Sequence, residues 1–114
     1  MALAAVVIAF AFGRTGGNII PFTVTVAASG RVQVSGPVHV GRSALTKAQL
    51  LGLDRVAAQV KFSSMHGAMC PGTLPDVAST FIRHGSRTVR VHGACIAAYE
   101  RLWNALSAAV QLKY

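Results

Sequence analysis

Apolar and polar residues alternate in two separate parts of the chain. Residues 22–26 read FTVTV, and after a Ser-Gly turn residues 32–35 read VQVS. Alternation with a period of two is typical of half-buried strands, so this stretch predicts a β-hairpin. The pattern returns between residues 77 and 92, on both sides of the turn at His84-Gly85-Ser86. We therefore expect a second hairpin there.

Two other stretches have apolar residues at helical spacing. In the first, Thr46 can cap a helix and Gln49 can complete a capping box. The second helix is expected to follow Cys95. The apolar face of the first comprises Leu53, Val56, Ala57 and Val60, and that of the second comprises Ile96, Tyr99, Leu102, Trp103, Leu106 and Val110. These elements predict an α+β fold, with a four-stranded antiparallel sheet in ββαββα order and two helices packed on one face.

The first twelve residues, MALAAVVIAFAF, form an almost unbroken apolar run. It is shorter than the roughly 20 residues of a transmembrane helix, and it resembles the apolar part of a secretory signal with a cleavage box at Ala9-Phe10-Ala11. The basic segment that normally precedes such a run is absent. We interpret residues 1–18 as a signal-like remnant with a flexible lead and residues 19–114 as a single domain. The alternative is a buried strand or core helix at the N-terminus.

The order of elements resembles a known group of proteins. Four parts of the chain carry the resemblance: the stretch PFTVTVAASGRVQVSGPVHVG, a helix ending near Phe62, the stretch LPDVASTFIRHGSRTVRVHGAC and a final amphipathic helix. In this order they are similar to small exported bacterial α+β domains of unknown function. The similarity covers about residues 20 to 110 and consists mostly of turn and core positions. It implies a hairpin, helix, hairpin, helix order and an exported protein, but no activity.

The charge of the chain is strongly unbalanced. Eleven Lys and Arg residues face three acids, giving a formal net charge of +8. Such a surface attracts nucleic acid nonspecifically, as well as acidic polymers, and the attraction weakens with salt. Motifs for phosphate binding, metalloprotease or serine hydrolase chemistry are absent from the sequence. We therefore expect neither catalytic residues nor a cofactor, and we expect the protein not to be an enzyme.

Two cysteines and two histidines occur in a repeated phrase, His66-Gly-Ala-Met-Cys70 and His92-Gly-Ala-Cys95. A hairpin between the cysteines brings them together, so we expect a Cys70–Cys95 disulfide. The alternative is a zinc or copper site with His66, Cys70, His92 and Cys95 as ligands. A reactive Cys–His pair is a third reading, but no orienting residue for it can be named.

The tripeptide Met69-Cys70-Pro71 is similar to the reactive loop of secreted subtilisin inhibitors of the Streptomyces type, in which a Cys-Pro pair stands beside the scissile bond. This chain lacks the second disulfide of that family, and its predicted helical content differs. The similarity alone therefore predicts no inhibition.

Outward strand parity places Arg31, Arg90 and His92 on the predicted sheet face opposite the helices, where they could bind an acidic partner. Taken together, the sequence predicts an exported binding or structural module of the periplasm, cell envelope or extracellular space. We expect it to be a monomer or weak dimer without a transmembrane span, and its partner to be a protein or an acidic polymer. The alternative function is metal binding in the envelope.

Overall fold

A six-stranded sheet is the centre of the fold in the computed structural model, which describes residues 7–114. Its strands are β1 (Ile8–Thr15), β2 (Phe22–Ala27), β3 (Val32–Ser35), β5 (Ala68–Met69), β6 (Ser79–His84) and β7 (Arg87–His92). They lie in the order β3-β2-β1-β6-β7-β5. A separate two-stranded ribbon joins β4 (His39–Val40) to β8 (Leu112–Lys113).

The predicted four-stranded antiparallel sheet in ββαββα order is wrong, although the α+β class and the two helices are confirmed. Both expected hairpins form, as β2–β3 and β6–β7. They do not pair with each other, because β1 lies between them and pairs antiparallel with β2 and β6. The short strand β5 adds to the far edge, parallel to β7, so the sheet is mixed.

The central strand β1 comes from the apolar run at the N-terminus. Phe10 and Phe12 are fully buried, and Phe12 packs edge-on against Trp103 with ring centroids 5.3 Å apart. The alternative interpretation, a buried strand, therefore describes residues 8–15 of this run. The predicted signal-like segment also covers residues 1–6, which lie outside the described residues.

Both helices pack on one face of the sheet. Helix α1 (Lys47–Gln59) begins at Thr46, whose hydroxyl accepts the backbone N–H of Gln49 in the expected capping box. A single 3₁₀ turn (Phe62–Ser64) follows, and helix α2 (Ala97–Val110) comes after β7. Five of the six residues predicted for the apolar face of α2 are buried: Tyr99, Leu102, Trp103, Leu106 and Val110. The other face of the sheet has neither helix against it.

Candidate functional site: a disulfide-braced loop end

Several loops meet at the end of the sheet where β1 finishes and where β2 and β6 start. We call this region the loop end and define it as residues 16–21, 70–78 and 93–96. Residues 70–78, which lead from β5 to β6, are called the braced loop. The loop end carries several exposed apolar side chains, among them Ile20 and Leu74. Its geometry therefore determines what this surface can bind.

The predicted disulfide is confirmed. The Cys70 and Cys95 sulfurs are 2.10 Å apart, and the two Cα atoms are 5.6 Å apart. The Cys70 N–H also donates to the carbonyl oxygen of His92 at 2.8 Å, which continues the pairing of β5 with β7. The bond thus fastens the start of the braced loop to the segment just before α2. A protein disulfide indicates a non-reducing compartment.

Glycines allow the tight packing around this disulfide. Gly93 has a φ of +108°, and a Cβ atom there would lie 2.6 Å from the Cys70 Cβ. Gly72 has a φ of +78° and follows Pro71, while the Thr73 N–H donates to the Cys70 carbonyl at 3.3 Å. Proline followed by a residue of positive φ is the pattern of a type II turn. The braced loop therefore starts with a fixed turn rather than an extended segment.

The far end of the braced loop is held by two further contacts. The His92 ring nitrogen Nε2 lies 2.8 Å from the carbonyl oxygen of Val77. The Asn18 N–H donates to the carbonyl oxygen of Asp76 at 3.2 Å. A Cβ atom on Gly17 would lie only 2.5 Å from that same oxygen, so the backbones of residues 16–18 and 76–78 are in direct contact. The loop is consequently fixed at both ends.

Large apolar side chains remain exposed on these fixed loops. Ile20 is 70% exposed and Leu74 is 64% exposed. Ile19 and Val77 are also exposed, by smaller fractions of their surface. Tyr114 and Met69, outside the loop end, are exposed as well. Scattered apolar residues on a protein surface need no explanation, but a group at one end of the molecule is typical of an interaction site.

Two adjoining clefts open at the loop end, and Arg14 and Ile19 line both. The larger, about 480 Å³, lies between the braced loop and the start of α2; Trp103, Asp76 and Glu100 are among its lining residues. The smaller, about 250 Å³, is mainly apolar and is lined also by Ile20, Phe22, Pro37, Val38 and Tyr114. The Arg14 guanidinium lies over the Tyr114 ring, 4.6 Å from its centroid. Two of the three carboxylates of the chain thus lie at one cleft.

A partly buried pair of hydroxyl groups lies at the larger cleft. The Tyr99 hydroxyl lies 2.8 Å from the Thr80 hydroxyl, and Thr80 lines the cleft. Burial raises the pKa of Tyr99 from 10.0 to about 12, and the hydrogen bond to Thr80 offsets part of this effect. The phenol therefore stays protonated at physiological pH and acts as a structural hydrogen-bonding group.

The disulfide removes both thiolates from the alternative metal site. His66 is exposed, and the His92 ring nitrogen contacts the Val77 carbonyl. Across residues 7–114, no group of three or more His, Cys, Asp or Glu side chains is arranged to hold a metal ion. The predicted zinc or copper site of His66, Cys70, His92 and Cys95 therefore does not form. Since neither cysteine is free, the Cys–His catalytic pair lacks its nucleophile as well.

The structure brings together only part of the predicted binding face. Arg90 lies on the helix-free face of the sheet, and His92 is two residues further along the same strand. Arg31 lies just before β3, so the three strands β2, β1 and β6 separate it from β7. Binding of an acidic partner through Arg31, Arg90 and His92 stays a prediction, but Arg31 cannot share one small site with the other two.

Sequence reasoning missed the exposed apolar residues of the loop end. A signal was present, because Ile19-Ile20 and Leu74 are large apolar residues within Gly- and Pro-containing segments that lack any helix or strand period. Such residues have no regular element to bury them. They are therefore candidates for a surface role.

Comparisons with protein-family models, characterised proteins and solved structures find no match to this chain. The similarity to small exported bacterial domains accordingly stays a prediction. None of the helices found between residues 7 and 114 is long and apolar enough to cross a membrane.

Proposed function

We propose that this protein is an exported, disulfide-stabilised module that binds another protein through its loop end. One observation carries the proposal: large apolar side chains remain exposed on loops whose backbones are fixed. Soluble proteins rarely leave such groups in water without a partner that covers them. The proposed function involves no catalysis.

The rigidity of the loops supports binding rather than a passive surface role. Association costs free energy for every segment that must be ordered, and a loop already held in place avoids that cost. Here the disulfide fixes the start of the braced loop, and the contacts of Val77 and Asp76 fix its end. Leu74 lies between these two fixed points of the braced loop, and its side chain is exposed to solvent.

Export is supported by the disulfide between Cys70 and Cys95. Disulfides persist in secreted and envelope proteins and are rare in the reducing cytosol. The net charge of +8 adds a surface suited to anionic envelope components. The periplasm, the cell envelope and the extracellular space all satisfy these conditions.

The residues that line the larger cleft indicate which side chains a partner protein would present to it. Trp103 and Ile19 give the larger cleft apolar walls. Asp76 and Glu100 give it two negative charges against the single positive charge of Arg14. A partner side chain that combines an apolar stem with a cationic head, such as lysine or arginine, fits this lining. We therefore expect the partner to present basic and apolar side chains together.

The test is capture from the culture medium and envelope fraction of the producing cells, using the immobilised protein. The variant Ile20→Ser/Leu74→Ser should lose the captured partner. The control Val7→Ser/Leu51→Ser changes two apolar residues that are also exposed, by 66% and 48%, but lie away from the loop end, and it should retain the partner. Equal capture by both double variants, or no partner in any fraction, would contradict the proposal.

Inhibition of a secreted serine protease is a second candidate. The confirmed disulfide stands at the base of the loop that begins Met69-Cys70-Pro71, as the similarity to the subtilisin inhibitors requires. Met69 is 83% exposed and would be accessible to a protease. The fixed turn at Pro71-Gly72 argues against it, because a substrate-like segment must be extended to lie along a protease cleft.

Titration of a subtilisin-type protease with the protein separates the two candidates. Stoichiometric loss of protease activity, abolished by Leu74→Ser but not by Leu51→Ser, would make the partner a protease. Full protease activity with cleavage between residues 71 and 77 would exclude inhibition. That second result leaves the wider protein-binding proposal to the capture experiment.

A further inference from the structure

The face of the sheet opposite the helices carries a regular array of side chains. Strand pairing aligns two rows across five strands, β3, β2, β1, β6 and β7. One row reads Ser35, Thr23, Gly13, Phe81 and Arg90, and the next reads Gln33, Thr25, Ala11, Arg83 and Thr88. Each row spans four strand spacings, roughly 19 Å. We call these ten residues the open face.

Phe81 and Gly13 give the open face a flat centre. A Cβ atom on Gly13 would lie 3.0 Å from the Phe81 ring, so the ring covers the glycine in the middle of the sheet. Ala11 beside it is also small. The Arg90 guanidinium lies 5.6 Å from the Phe81 ring centroid, on the side of the neighbouring strand. The central strand β1 therefore contributes only small residues to the open face, and the Phe81 ring lies over one of them.

The charge of the open face is entirely positive. Arg83 and Arg90 are exposed. Among residues 7–114, neither guanidinium group lies within ion-pair distance of a carboxylate. The three acids of the chain lie elsewhere: Asp54 on α1, Asp76 in the braced loop and Glu100 on α2. An anion on this face would meet two guanidinium groups that have no carboxylate partner, and no repulsion, although Arg83 Nε also donates to the Gly85 carbonyl at 3.3 Å.

The opposite half of the open face is uncharged and rich in hydrogen-bonding groups. Thr23, Thr25, Gln33 and Ser35 surround a shallow cleft of about 410 Å³. Hydroxyl and amide groups both donate and accept, so they match the hydroxyls of a sugar. The planar guanidinium group matches a carboxylate by two parallel hydrogen bonds. The two halves together suit a chain that repeats hydroxyl and carboxylate groups.

We propose that the open face binds an acidic polysaccharide built from carboxylated sugars. A single strand of nucleic acid fits less well, because base recognition on a sheet uses several exposed aromatic rings and this face has only Phe81, which already contacts Gly13 and Arg90. The site is separate from the loop end, so it does not depend on the protein-binding proposal. It gives the module a second contact, to a polymer of the non-reducing compartment.

The experiment measures the affinity of the purified protein for polygalacturonate by titration calorimetry. Neutral dextran, dextran sulfate and oligodeoxythymidylate are the comparison ligands. The variant Arg83→Gln/Arg90→Gln removes two charges from the open face. Lys47→Gln/Arg55→Gln removes two charges from exposed residues of α1 and serves as the matched control. The unfolding midpoint of each variant, followed by Trp103 fluorescence, shows that the fold is retained.

We expect the open-face arginine variant to weaken polygalacturonate binding by about tenfold or more, and the α1 control by less than about twofold. A further variant, Thr23→Val/Thr25→Val, keeps the charge but removes two hydroxyls. Its affinity should fall by about fivefold or more, since each of the two hydrogen bonds contributes about 0.5–1.5 kcal/mol.

Four results would overturn the proposal. Equal weakening by the two charge variants would show nonspecific attraction by the net charge. Unchanged affinity of the threonine variant would remove the role of the sugar hydroxyls. Tighter binding of dextran sulfate or of oligodeoxythymidylate than of polygalacturonate would assign the face to another polyanion. A dimer that dissociates on Arg83→Gln/Arg90→Gln would assign the face to a second copy of the chain.

Discussion

Replacing Phe12 by alanine tests the central feature of the fold, the insertion of β1 between the two hairpins. Phe12 is fully buried and packs against Trp103, with ring centroids 5.3 Å apart and planes at 85°. Truncating a buried phenylalanine to alanine typically costs 3–5 kcal/mol, because apolar contact is lost and a cavity remains. Domains of this size are stable by only about 5–15 kcal/mol, so the variant should lose a large part of its stability.

Urea unfolding measures this loss directly, because Trp103 is the only tryptophan and lies beside the substitution. With an unfolding slope of about 1.5 kcal/mol per molar urea, a loss of 3–5 kcal/mol lowers the midpoint by roughly 2–3 M. Fluorescence of Trp103 reports the tertiary contact, and far-ultraviolet circular dichroism reports the sheet and helices. The two transitions should coincide if the domain unfolds as one unit.

Phe81→Ala is the matched control. Phe81 lies on β6, opposite Gly13 of β1, but on the open face of the same sheet, where it is only partly buried. Its truncation should cost about 1–2 kcal/mol, well below the loss at Phe12. A loss below about 1.5 kcal/mol for Phe12→Ala, or equal losses at the two positions, would refute the reasoning. A small loss at Phe12 would show that this side chain of β1 adds little to the core.

Two further predictions concern the disulfide and the buried tyrosine. Cys70→Ala/Cys95→Ala should lower the free energy of unfolding by about 3–4 kcal/mol, because the unfolded chain regains the entropy that the disulfide removes by closing a loop across 25 residues. A difference below about 1 kcal/mol in urea unfolding would contradict this. The pKa of Tyr99 is raised from 10.0 to about 12, so between pH 10 and pH 12 only the unfolded chain loses the phenolic proton and stability should fall by about 2–3 kcal/mol. Tyr99→Phe should not show this loss of stability between pH 10 and pH 12. If the variant and the unmodified protein lost stability equally above pH 10, the prediction would be wrong.

Local patterns predicted the helices, the hairpins and the disulfide well, because each depends on residues close in sequence. The capping box of Thr46 and Gln49 and the apolar face of α2 are confirmed. The disulfide was predictable because a hairpin between two cysteines necessarily returns the chain to its starting point. Each of these features is set by spacing alone.

Two strands of the sheet could not be predicted in the same way. Strand β5 has only two residues, and its pairing with β7 depends on contacts across more than twenty residues of chain. Nothing in a two-residue segment has a period. The array on the open face was equally hidden, because it depends on which hairpin lies beside which, and that order is set by β1.

Strand β1 was only the alternative interpretation of the N-terminal run, for a more instructive reason. Its alternation is between large and small residues rather than between apolar and polar ones: Phe10 and Phe12 point into the core, and Ala11 and Gly13 lie on the open face. A hydrophobicity pattern sees only a continuous apolar run, whereas a volume pattern shows the period of two.

The same alternation connects β1 to both proposed surfaces. Its position in the sheet aligns the polar groups of β2 and β3 with the arginines of β6 and β7 on the open face, and its own residues there are small. Its end delivers residues 16–20 against the braced loop, where Gly17 and Asn18 contact Asp76. A four-stranded sheet without β1 would have neither the rows nor that contact. Both proposals therefore depend on the same strand, and the stability test at Phe12 bears on each of them.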